Sequence, residues 1–251
     1  MNKYFLVFII ILSNLCFSEE NLDTADAPKT ILFWNTAQKL DGFKNYKEIL
    51  PTRLVSKNVQ PYPLTYNLVD LSNLTYTYKN RKFSINDFIE NFKVAGLIVV
   101  RDGVILHEDY NFGNSESTQW ISFSVTKSVT SMLIGAAIQD GFIKSVEDRV
   151  TTYLPQLMNS KYKDVSIKDV LHMSSGIDWN EDYTDPSSDV NIAGAMNSLS
   201  LYQYLDTLNT IASPGTKFNY NTGETNLLGG IVRSAIGNNL SSYLEQKIWK
   251  P

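Results

Sequence analysis

From about residue 84 onward, the alternation of apolar and polar positions divides the chain into elements. Ser84 stands where a helix N-cap belongs, ahead of a short helical segment over Ile85 to Phe92. An apolar run over 96–100 (GLIVV) follows, and a second run covers 104–110 (VILHEDY). Arg101-Asp102-Gly103 lies between them. Asp-Gly suits the two positive-φ positions of a type I′ turn, so the pair predicts a β-hairpin. The clearest helix is predicted over 125–139. Val125, Val129, Met132, Leu133, Ala136 and Ala137 recur there at the spacing of one helical face. Asp140-Gly141 ends it, with Gly141 as the left-handed cap. Further helices are predicted from Ser145 and Ser166, each followed three residues on by an aspartate (Asp148, Asp169) that completes a capping box. Others are predicted over 198–209, 224–236 and 240–249, with Gly237 capping the second. Residues 19 to about 60 have only scattered apolar positions and predict an irregular arm, restricted by Pro51 and, just beyond it, Pro61 and Pro63.

The first eighteen residues have a different pattern. Lys3 supplies a short positive start, residues 4–12 are nearly all apolar, and Cys16 and Ser18 are small residues flanking a cleavage point after Ser18. The apolar stretch is shorter than the roughly 20 residues of a spanning helix. It reads as a cleaved signal peptide, which predicts a secreted or periplasmic protein with no membrane association after cleavage. Cleavage removes Cys16, the single cysteine, which suits an oxidising compartment. The alternative reading is an N-terminal membrane anchor.

Composition narrows the function classes. With 251 residues and 43% hydrophobic content, the chain can bury a substantial core. A formal net charge of −4 leaves no basic excess to neutralise phosphates, so no nucleic-acid partner is expected. One cysteine and two histidines leave no thiolate cluster or histidine-rich metal site, so no metal is expected, and no cofactor. His107 reads as a packing or surface residue of its strand, and His172 as structural.

Two places carry candidate chemistry. Ser124-Val125-Thr126-Lys127 opens the central helix. Residues i and i+3 share a helical face, so the hydroxyl and the ammonium meet over one turn. Serine is a weak nucleophile until a neighbour takes its proton, and a lysine in an apolar pocket can serve as that base. A helix start also presents backbone N–H groups to a developing oxyanion. Ser160-Lys161-Tyr162-Lys163 repeats the spacing, but in a charged loop with no apolar helix behind it, and reads as a chance copy. The second place is 214–223 (PGTKFNYNTG), a Pro-Gly turn with Tyr220 just before a helix. A phenol beside an ammonium can relay protons, although an aromatic packing role fits Tyr220 as well. Residues 178–191, with Trp179 and Tyr183, read either as a wall of a substrate cleft or as a solvated loop.

Residues 120–131 (WISFSVTKSVTS), with Asp140-Gly141, Val150 and Tyr153-Leu154-Pro155, resemble the serine β-lactamase-like superfamily of class C β-lactamases, penicillin-binding carboxypeptidases and related esterases and amidases. Residues 171–179 (LHMSSGIDW) match a second segment of it. Residues 218–229 (FNYNTGETNLLG), together with 31–34 (ILFW) and 51–53 (PTR), resemble the 6-aminohexanoate-dimer hydrolase branch. The resemblance implies an α+β fold of β-lactamase/transpeptidase type, an antiparallel sheet flanked by a helical lobe. It implies Ser124 as the acylated nucleophile, Lys127 as the group that holds or takes its proton, and Tyr220 as the proton shuttle. The superfamily often has Tyr-x-Asn; here Asn221 and Thr222 occupy the two places after the tyrosine and are the candidate substrate contacts. Relatives continue beyond the point matching Pro251, into a Lys- or His-x-Gly strand and a second oxyanion donor. Residues 19–251 are therefore expected to be the N-terminal part of such a domain, with the sheet incomplete. Two function classes follow: a secreted serine hydrolase acting on a small amide or ester, or a non-catalytic relative lacking the third motif.

Overall fold

The computed structural model describes residues 31–60, 62–194 and 196–250. The expected signal segment and Cys16 lie outside the described residues. Of the expected irregular arm, residues 19–30 lie outside the described residues, and the stretch from 31 is partly helical. A 3-10 turn over Ile31–Phe33 leads into helix α1, Thr36–Gly42. Asn35 accepts from the Gln38 N–H while the Gln38 side chain returns to the Asn35 N–H, a reciprocal cap that frees no donor. Trp34 packs over Gly42, where an added Cβ would lie 2.3 Å from the indole.

The strands are β1 (Thr65–Tyr66), β2 (Thr75–Tyr78), β3 (Arg81–Ser84), β4 (Gly96–Arg101) and β5 (Val104–Tyr110). The expected hairpin is β4–β5. Asp102 and Gly103 have φ of 52° and 77°, as a type I′ turn requires. The sheet is wider than that hairpin and not purely antiparallel. Its order is β1-β5-β4, and β1 runs parallel to β5. β2 and β3 form a second hairpin, turned by Lys79 and Asn80, both at positive φ. Helix α2, Ile85–Phe92, follows with the Ser84–Asp87 capping box in place.

The rest is a helical lobe: α3 (Val125–Gln139), α4 (Val150–Tyr153), α5 (Ile167–Leu171), α6 (Asp189–Ala193), α7 (Ser198–Thr207), α8 (Thr222–Ile236) and α9 (Leu240–Leu244), the last continued by a π-turn over Glu245–Trp249. The helix expected from Ser145 begins only at Val150; Ser145 and Asp148 form a preceding turn. Gly141 and Gly237 are left-handed, as helix-ending glycines are. The main core joins Ile134, Ala137, Val150, Val170, Leu205, Leu227 and Ile231, so α8 is wrapped by α3, α5 and α7. The buried face of α3 differs in phase from the one expected. Leu133, Ile134 and Ala137 are inside, while Val125 is 66% and Met132 51% exposed. Residues 132–138 of α3 (MLIGAAI) are apolar all round, so spacing alone could not choose the side there; contact with α8 does. Among the described residues no helix is long and apolar enough to cross a membrane.

Candidate active site

Ser124 is the residue from which α3 starts. Phe123 before it sits in the left-handed region, φ 43°, where a bulky L-residue is strained. The strain is braced from the N-terminal segment. The Phe123 ring meets Phe43 edge-on at 5.1 Å, Phe43 also contacts Trp120 and Trp34, and the Ile121 N–H donates to the Phe43 carbonyl at 3.1 Å. Ser124 holds the N-cap position without using its side chain as a cap. Its hydroxyl is therefore available to Lys127, whose Nζ donates to Ser124 Oγ at 2.9 Å. Among the described residues nothing accepts from the Ser124 N–H. That donor stands at the positive end of a fifteen-residue helix, where an oxyanion is stabilised.

Tyr220 arrives by a separate route. Gly176 is left-handed (φ 85°), and an added Cβ would lie 2.0 Å from the Ala212 carbonyl oxygen, so only glycine lets these two segments touch. Backbone bonds then lay 215–219 along 173–179: Gly215 N–H to Ser174 O and Asn219 N–H to Met173 O, both at 2.8 Å. The Asn219 amide adds bonds to the Ile177 and Trp179 carbonyls. The next residue is Tyr220, and Lys127 Nζ stands 5.0 Å from the centre of its ring. Thus Ser124, Lys127 and Tyr220, spread over nearly a hundred residues, converge.

The two candidate substrate contacts separate. Asn221 is buried and caps α8, its Oδ1 accepting from the Glu224 N–H at 3.1 Å. Its amide nitrogen is also buried, with no partner among the described residues. Thr222 lines the cleft, but its hydroxyl donates to Glu181. The second Ser-x-x-Lys is used otherwise: Ser160 is buried and donates to the Leu157 carbonyl at 2.7 Å.

A cleft of about 1070 Å³ runs past Ser124 and Lys127, walled by Leu32, Phe33, Phe123, Tyr183, Thr222 and Arg233. Sequence reasoning named Tyr183 as a possible wall but missed Glu181 and Glu224. Glu181 lay unnoticed inside the flagged loop. Glu224 carried a signal, three residues after a cap residue, but the carboxyl is buried rather than turned outward. Burial pushes the Glu224 carboxyl up to about 8. Burial and the neighbouring Glu181 carboxylate raise the Tyr183 phenol to about 12. No three of His, Cys, Asp and Glu converge among the described residues, so none offers a metal site.

The Beta-lactamase family profile matches residues 85–251, a span that holds Ser124, Lys127 and Tyr220. The chain belongs to the β-lactamase family. This family chain is 30% identical over 217 residues to the 6-aminohexanoate-dimer hydrolase of Paenarthrobacter ureafaciens, covering 83% of itself and 54% of that relative. In fold it is similar to a Bacillus anthracis protein provisionally named a 6-aminohexanoate-dimer hydrolase, with a TM-score of 0.76 at 19% identity, covering 93% of this chain and 62% of that one. A provisionally named β-lactamase of Bacteroides dorei matches with a TM-score of 0.55 at 21% identity over 65% of this chain and 48% of its own. The chain thus spans about half the length of the P. ureafaciens relative. The α+β fold of β-lactamase/transpeptidase type and membership of a serine hydrolase family stand on these findings together.

Proposed function

We propose that the protein hydrolyses a small amide or ester through an acyl-enzyme on Ser124. The observation that carries this reading is the 2.9 Å bond from Lys127 Nζ to Ser124 Oγ on the wall of the cleft, with the Tyr220 ring beside the same lysine nitrogen. Ser124 Oγ adds to the substrate carbonyl carbon as its proton passes to the unprotonated member of the Lys127–Tyr220 pair, a lysine amine or a tyrosine phenolate. The developing oxyanion faces the Ser124 N–H. Tyr220 delivers a proton to the leaving nitrogen or oxygen as its bond to the carbonyl carbon breaks. Water then attacks the ester on Ser124, and the acid product leaves with Oγ reprotonated. The P. ureafaciens relative, named for an amide-linked dimer, makes linear oligoamides the first substrates to assay.

The test is mass spectrometry after incubation with an activated ester or a β-lactam. A stable adduct at Ser124, absent from Ser124→Ala, is the expected result. An adduct that persists in Ser124→Ala, or no adduct in the wild type with either probe, overturns the assignment.

A further inference from the structure

We infer that Glu181 is a positioning residue that fixes the Tyr220–Thr222 segment and Tyr183 against one wall of the cleft through a single carboxylate. The inference rests on the reading of Ser124 as the acylated nucleophile and extends it to a residue outside the reacting groups.

Four donors converge on that carboxylate. Oε2 accepts from the Trp179 indole N–H and from the Thr222 backbone N–H, the latter at 3.1 Å. Oε1 accepts from the Tyr183 hydroxyl at 2.5 Å and from the Thr222 hydroxyl. Trp179 anchors the arrangement, because it is only 4% exposed and belongs to the main core. The carboxylate is therefore held from beneath and directs its remaining bonds outward, to Thr222 and Tyr183, both of which line the cleft. Loop residue and helix start are 41 positions apart in the chain, so no local turn brings them together.

Capping alone does not account for the arrangement. Asn221 already caps α8 through the Glu224 N–H. Glu181 adds a second, charged acceptor at the first helical N–H, where a negative charge is favoured by the helix dipole. Thr222 follows Tyr220 by two residues, so its placement sets the backbone that carries the Tyr220 ring beside Lys127. A displacement of about 1 Å at such a group is enough to cost on the order of 10²-fold in rate. Tyr183 is the other output. Its hydroxyl bond to Glu181 holds the ring on the cleft wall, 38% exposed rather than packed into the core.

The test uses the full chain and steady-state turnover of a nitrophenyl ester, with melting curves beside it. Glu181→Gln keeps the shape but presents an amide nitrogen to two of the four donors. It is expected to lower kcat at least 10-fold and to change KM less than 3-fold. Thr222→Val removes one tether and is expected to lower kcat less. In the Glu181→Gln background it should cost nothing further, because both act through one contact. A Glu181→Gln enzyme with wild-type kcat and only a lowered melting temperature overturns the inference and leaves the proposed nucleophile standing. Additive losses from the two substitutions overturn it as well. If Glu181→Gln does not fold, Thr222→Val decides alone: reduced kcat at unchanged KM supports the inference, and unchanged kcat overturns it. A wild type that takes up no label at Ser124 overturns both readings together.

Discussion

Replacing Glu224 by glutamine tests how the first turn of α8 is buried. Glu224 is 1% exposed, in the first turn of α8. Its Oε1 lies 3.5 Å from the Tyr162 hydroxyl and its Oε2 has no partner among the described residues. Burial raises the carboxyl from its ordinary 4.5 to about 8, partly opposed by hydroxyl donors on Ser175 and Tyr162. Between those two values the folded protein holds a proton that the unfolded chain has released. Unfolding then binds fewer protons, so stability falls as pH rises through the window. The contribution is fully present below about 4.5 and gone above about 8. Each pH unit inside it is worth about 1.4 kcal/mol, so the total is about 5 kcal/mol. That is a large part of the roughly 5–15 kcal/mol that holds a domain folded. The assay is urea unfolding of wild type and Glu224→Gln at pH 5, 6, 7 and 8 and constant ionic strength. Groups common to the two proteins cancel in the difference. The wild type should lose stability relative to the glutamine variant by several kcal/mol between pH 5 and 8. A difference that stays constant across this range refutes the buried, protonated carboxyl.

Three further outcomes are expected. Tyr220→Phe should lower kcat by ~10²–10⁴ with little change in KM, since a positioned proton donor acts on the chemical step; an unchanged kcat for ester and amide substrates would remove Tyr220 from the mechanism. Gly176→Ala should destabilise the fold by about 2–4 kcal/mol, because the new methyl enters the Ala212 carbonyl at a left-handed backbone position; a melting temperature within a degree of wild type would contradict the close approach. If residues 1–18 direct export, the protein recovered outside the cytoplasm should begin at Glu19, and an intact mass that retains Met1 would count against the signal reading.

Much of the architecture was legible because short-range rules set it. The Ser84 cap, the Ser166–Asp169 capping box, the Asp102-Gly103 turn and the span of α3 depend on residues within one or two turns of each other, and all are in place. The Ser124–Lys127 pair was legible for the same reason: one helical turn joins them. Tertiary structure decided whatever depends on a distant partner. β1 is two residues long and exists because its backbone pairs with β5, some forty positions away, which no periodicity records. The Lys79-Asn80 turn lacks a glycine, and the pairing of β2 with β3 imposes its positive φ values. The buried side of α3 was ambiguous along its apolar run, residues 132–138, until α8 packed against it. Asn221 was a candidate substrate contact by its place after Tyr220; whether its amide faces the cleft or caps α8 depends on how α8 begins. Glu181 shows the limit most plainly. Trp179 and Tyr183 are its neighbours two residues away on either side, but only the folded chain brings the start of α8 to the same carboxylate. Local hydrogen bonds are encoded locally, whereas a charge that joins its own loop to a helix start 41 positions away has that part of its energy in the fold.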